Sequence, residues 1–176
     1  MLLKKAFQAA LQSSCIMTVA DVGTQWIVEG KNFSSDYDGT RTCRWTMAGF
    51  LHGPYFFAGF SMVDQRLGAA TSLKVVAQKT AIAQFVLFPP YLVALFGLMG
   101  VLERHPNILD KIQAKVPEAF LSGCIYWPVA NGINFALIPA SLRVPYVASA
   151  AGLWNCYLSW ENARDSGGKE SEDETQ

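Results

Sequence analysis

Apolar positions are spread very unevenly along this chain. Three stretches, 80–102, 119–142 and 144–160, contain no Asp, Glu, Lys or Arg, and the first two have 23 and 24 residues. A hydrocarbon core about 30 Å thick is crossed by about 20 helical residues. Segment 45–63 is also free of formal charge, at 19 residues, though it holds His52 and Pro54. In segment 6–28, Phe7, Leu11, Cys15, Val19, Val22 and Trp26 recur every three or four residues, the period of an amphipathic helix. The pattern predicts an all-α fold: a multi-span integral membrane helical bundle with four or five transmembrane segments and proline-kinked helices. Arg143-Val144-Pro145 separates the last two stretches, which are two spans or one span and a partly buried helix. An even number of spans, with both termini on one side, is mildly preferred.

Breaks in the pattern place the joints. Asp38-Gly39 marks a turn within the polar loop 31–42, and the connector 64–79 mixes both signs of charge. Pro89-Pro90 falls in the middle of an apolar run, where it bends or breaks a helix. Loop 103–118 carries Pro106 and Pro117 around a short helical turn, 108–116. Gly49 and Gly53 form G-x-x-x-G, which lets two helix backbones approach in lipid, and Pro54 follows directly. The polar, acidic segment 165–176 is expected to be disordered, leaving 1–164 as one helical membrane domain.

Charge sharpens this picture. Mean hydropathy is modest because six of the fourteen acids lie in residues 161–176; the first 160 residues carry 12 bases and 8 acids. That excess of four is spread over several loops and forms no basic stripe with interleaved aromatics, so no direct nucleic-acid partner is expected. Each of the first three loops holds three Lys or Arg, so loop charge does not set the orientation. Cys15, Cys43, Cys124 and Cys156 form no C-x-x-C pair, which points away from a metal site. The N-terminus lacks an unbroken apolar run and reads as retained.

The informative residues are polar ones in apolar surroundings. Asp21 and Gln25 share a helix face, as do Asn131 and Asn134 together with Trp127. Gln84, His52 and Asn155 are similarly placed. An ionised group at mid-bilayer costs about 2.5–3.5 kcal/mol on insertion scales, so such residues turn toward each other or water. Two readings follow. Either they are hydrogen bonds between helices, or Asp21, Gln25, Gln84, Asn131 and Asn134 line a weakly selective pore for small polar solutes or ions. No catalytic constellation is present: His52 and Asp64 lie about 18 Å apart along a continuous helix. Neither enzyme activity nor a cofactor is expected.

The C-terminal third carries a longer pattern. Trp127-Pro128-x-x-Asn131-x-x-Asn134-Phe135-x-x-Ile138-Pro139-x-x-x-Arg143, followed by Trp154-Asn155-x-Tyr157-Leu158-Ser159-Trp160, resembles the Mpv-seventeen family. That family includes the 22-kDa peroxisomal membrane protein and mitochondrial inner-membrane relatives. Asp21-x-x-x-Gln25, Arg41-x-x-Arg44 with Gly49 and Gly53-Pro54, and Lys79 with Gln84 and Pro89 resemble its earlier blocks. Ala20, Ala83 and Asn131 stand where the family usually has Gly, Asp and Gln. The resemblance implies a small integral membrane protein, conventionally with four spans, of the mitochondrial inner membrane or alternatively the peroxisomal membrane. It also implies non-selective channel behaviour and roles in mitochondrial homeostasis, reactive-oxygen-species metabolism and mitochondrial DNA maintenance. A non-conducting scaffold is the competing function. Lys79 and Arg143 are expected at the membrane edge, with Arg143 capping carbonyls or pairing with Asp64. Trp127 and Trp160 are expected as headgroup-level anchors. The bilayer and a further copy of the chain are the expected partners.

Overall fold

The computed structural model describes residues 2–69 and 72–156, and every regular element among them is helical. α1 (Leu2–Gly23) runs into a π-helical turn, Thr24–Val28; α2 is Gly39–Leu67. α3 (Leu73–Ile82) continues through a second π turn, Ala83–Leu87, into α4 (Phe88–Leu102). α5 is Ile108–Leu137, and a 3-10 turn, Ala140–Leu142, leads into α6, residues 143–156. Tyr157 to Trp160 and the acidic tail lie outside the described residues.

Local chemistry sets most boundaries. The Asp38 carboxylate accepts from the Arg41 amide at 2.8 Å and starts α2. Ser72 caps α3 through Val75, and Asn107 caps α5 through the amides of Leu109 and Asp110. α2 ends at Gly68, whose φ of 69° is costly for any residue with a Cβ. Pro89 and Pro90 do not break their helix. They free the carbonyls of Phe85 and Val86, the preceding turn widens to a π turn, and the Tyr55 hydroxyl donates to the Leu87 carbonyl at 2.7 Å.

One expectation needs correction. Residues 103–118 are not a loop around an isolated turn: α5 begins at Ile108 and passes through Pro117 and Pro128 as one helix. Asn107 caps its start, and each interior proline removes one i→i−4 hydrogen bond, freeing the carbonyls of Gln113 and Cys124, without ending the helix. α5 stops before Pro139, the chain reverses over Ala140–Leu142, and α6 returns.

Contacts at the two ends give the order. Arg44 and Lys111 meet Glu103 at one end, where Thr24 touches Cys156. Asp64 meets Lys79 and Arg143 at the other, and Leu2 and Lys5 border the same cavity as Asp64 and Arg143. The five described rods therefore alternate in direction.

α1 and α2 make the tightest pairing. A Cβ on Gly53 would lie 2.2 Å from the Ala9 carbonyl oxygen, and one on Gly49 would lie 2.4 Å from the Ser14 Cα. The G-x-x-x-G motif is thus the seat of α1. On the outside, Leu121, Ile125, Val129, Ile133 and Leu137 form an exposed apolar stripe at every fourth position of α5. One described rod, Leu73–Leu102, is long and apolar enough to cross a membrane.

Candidate functional site

The bundle interior has three parts: a polar clasp at the Glu103 end, an aromatic block at mid-height, and an ion cluster at the Asp64 end.

The clasp is built on Asp21 and Gln25. Asp21 Oδ2 accepts from Gln25 Nε2 at 2.9 Å and from the Thr42 hydroxyl at 2.6 Å, while Oδ1 pairs with Arg41 Nε at 2.8 Å. Gln25 Oε1 accepts the Asp38 amide at 2.8 Å, and Nε2 also donates to the Asp38 carbonyl at 3.1 Å. Gln25 reaches these partners from the π turn that closes α1. The predicted pair is real, and its bonds tie the end of α1 to the start of α2.

In the block, His52 Nδ1 lies 3.0 Å from the Tyr91 hydroxyl and its ring packs 4.6 Å from Phe56. Phe56 stands 4.9 Å from Tyr91 and 5.4 Å from Phe60, and Phe60 meets Phe135 edge-on at 5.3 Å. Trp127 is also interior, 5.5 Å from Phe88, so it is not a headgroup anchor. A helix running through Pro128 carries it deep into the bundle.

At the Asp64 end one carboxylate serves two cations. Lys79 is fully buried; its Nζ lies 2.6 Å from Asp64 Oδ1 and 2.5 Å from the Gly68 carbonyl. Arg143 Nη1 lies 2.5 Å from Asp64 Oδ2, and its Nε donates to the Ile138 carbonyl at 3.3 Å. Both cations also lie over the Phe135 ring, at 5.8 and 5.2 Å. The two carbonyls are at the C-termini of α2 and α5, where helix dipoles favour positive charge. Arg143 therefore does both things expected of it, and both cations are buried at this end of the bundle. Burial alone would raise the Asp64 carboxyl, but hydrogen bonds and charge from Arg143 and Lys79 hold it below the ordinary carboxylate value.

Cavities open from both ends. One of about 360 Å³ enters from Arg44, Glu103 and Lys111 and reaches Tyr91 and Trp127; Trp154 and Asn155 also line it. One of about 430 Å³ enters from Lys5, Asp64 and Arg143 and reaches Ala9 and Phe60. A third, about 530 Å³, lies beside it around Lys79, Phe135 and Pro139. Tyr91 borders the first and Phe60 the second, and His52 and Phe56 pack against Tyr91 while Phe56 also meets Phe60. None of Asp21, Gln25, Gln84, Asn131 and Asn134 borders these cavities.

Those five residues do not converge. Asp21 and Gln25 belong to the clasp. Gln84 lies in the second π turn with its amide 3.6 Å from Cys124 Sγ. Asn131 and Asn134 share the buried face of α5 with Trp127. Several of their atoms are buried without a protein hydrogen-bond partner among the described residues: Gln84 Oε1, Asn131 Oδ1, and both Asn134 side-chain atoms. His52 Nε2 and Ser13 Oγ share that condition. Sequence reasoning missed Tyr91 and Phe56, which look like ordinary apolar-run aromatics. His52, the one titratable group in its run, was the available signal.

Comparison with known proteins adds the following. Residues 100–159 match the Mpv17 / PMP22 family. Protein sym-1 of Neurospora crassa is 31% identical over 157 residues, covering 88% of this chain and 90% of that protein. The mitochondrial inner membrane protein Mpv17 of Drosophila melanogaster is 25% identical over 163 residues, 89% of this chain and 95% of its own. That of Bos taurus is 27% identical over 157 residues, 88% of each. No solved structure matches.

Proposed function

The chain belongs to the Mpv17 / PMP22 family and is a mitochondrial inner-membrane protein, and from that premise we propose that it forms a weakly selective channel there. The observation that carries the reading is the pair of cavities entering from opposite ends of one bundle, with His52 and Phe56 packed between Tyr91 of one lining and Phe60 of the other. From His52 to Phe60 the block occupies about 12 Å of helix rise. In this reading the structure is the closed form, and rotation of one or two aromatic rings joins the cavities. The outward stripe on α5 supports contact of a multi-span bundle with lipid. Asn131 Oδ1 and both Asn134 side-chain polar atoms are buried with no protein partner among the described residues, and a dry, unpaired polar group costs about 1–3 kcal/mol, which supports water elsewhere in the interior beside these cavities. Such a route would pass small polar solutes or ions with little choice between them. Contributions to mitochondrial homeostasis, reactive-oxygen-species metabolism and mitochondrial DNA maintenance belong to the same proposal.

A non-conducting scaffold is the second reading. It is favoured by the clasp, where Asp21 and Gln25 saturate each other and their neighbours and leave nothing for a solute. Planar-bilayer recording of the purified full-length protein separates the two. The channel reading expects unitary currents that grow in Phe56→Ala; silence from both proteins, each with intact helical content, supports the scaffold.

A further inference from the structure

The cavity at the Glu103 end has a wall that small polar solutes do not need. Along α4 it is apolar from Phe88 to Met99, eleven residue steps and about 16 Å of helix rise. Half of a bilayer's hydrocarbon core, about 15 Å, is the depth one acyl chain occupies. Its volume of about 360 Å³ lies within the range of small-molecule pockets, about 300–1,000 Å³. Three cations stand at its mouth, and two are engaged. Arg41 pairs with Asp21 at 2.8 Å and Glu29 at 2.6 Å, and Lys111 pairs with Glu103. Arg44 differs: the nearest carboxylate oxygens, of Glu103 and Asp38, are 3.6 and 3.9 Å away, beyond hydrogen-bond length. Its guanidinium offers a planar fork of donors that a carboxylate fills with two bonds.

We propose that this cavity binds the anion of a long-chain fatty acid, its tail along Phe88–Met99 and its carboxylate on Arg44. The proposal does not depend on the channel reading, because it concerns equilibrium binding to the bundle in this one conformation, conducting or not. Trp45, Trp127 and Trp154 line the cavity and report on it directly.

The test titrates the full-length protein in detergent with a dibrominated stearate and follows tryptophan quenching. Saturable quenching, displaced by oleate but not by methyl oleate, is expected. Arg44→Leu should weaken it by about tenfold or more, and Arg44→Lys by less. Leu95→Phe, which narrows the wall, should lower the extent of quenching while circular dichroism stays unchanged. Equal quenching by the methyl ester, or an unchanged affinity in Arg44→Leu, would overturn the proposal. So would equal quenching by a dibrominated phosphatidylcholine that oleate does not displace, which would assign the cavity to bilayer lipid.

Discussion

Lys79 and Asp64 meet at 2.6 Å, with the ammonium withdrawn completely from solvent and the carboxylate shared with Arg143. Removing Asp64 leaves two buried cations facing each other across one ring. Breaking a buried pair by deleting one partner costs about 3–5 kcal/mol. Asp64 keeps some solvent access, so Asp64→Asn should cost about 3 kcal/mol, at the lower end of that range. Thermal unfolding in detergent measures it. Lys79→Met with Asp64→Asn should recover part of the loss, and strict additivity of the two would contradict a coupled cluster.

The same carboxylate gives a pH dependence. Its folded-state value is depressed, so its stabilisation is complete above the unfolded carboxylate value of about 4 and is lost as pH falls through the lower folded value. The wild-type melting temperature should hold steady from neutral pH to about 5 and fall below about 4. Asp64→Asn should start lower and fall less steeply. Parallel acid limbs in the two proteins would show that another group controls acid unfolding.

Gly53 and Gly132 form a matched contrast. A Cβ at Gly53 would overlap the Ala9 backbone, whereas at Gly132 nothing lies within 4 Å. Gly53→Ala should therefore destabilise by more than about 1 kcal/mol through displacement of α1. Gly132→Ala, inside a helix, should stabilise by about 0.5–1 kcal/mol. Equal shifts in melting temperature would mean that α1 does not sit where the structure has it.

Gln25→Leu should release the segment between α1 and α2, because it removes the side-chain acceptor of the Asp38 amide and one of the partners of both Asp21 and Thr42. Leaving even one of these buried groups unsatisfied costs about 1–3 kcal/mol. Limited proteolysis between Lys31 and Asp38 should become faster, while cleavage elsewhere stays unchanged. An unaltered cleavage rate would reduce the clasp to an incidental contact.

Much of this was legible in the chain. Helical class, the Gly49–Gly53 contact and the Asp21–Gln25 and Asp64–Arg143 pairings all depend on spacing or on strong charge preference, and both leave marks in sequence. The continuity of α5 was hidden because Pro117 and Pro128 read as breaks, whereas a packed helix can lose an interior hydrogen bond and continue. The reversal after Pro139 was visible only as a choice between two spans and one. Convergence of faces was harder still. Asn131 and Asn134 do share a face, but which faces meet is decided by helix order and crossing. Tyr91 and Phe56 came to the centre for that reason, and Asp21 and Gln25 came to one end.

The central claim is that water reaches this bundle from both ends and stops at an aromatic block. Single cysteines in an otherwise cysteine-free full-length protein, oriented in proteoliposomes and treated with a charged thiol reagent, test it most directly. A cysteine at Met99 should label from one face of the membrane only and one at Ser61 from the opposite face only, with one at Phe56 labelled from neither. Labelling of Met99 and Ser61 from the same face, or of neither from any face, would contradict the account.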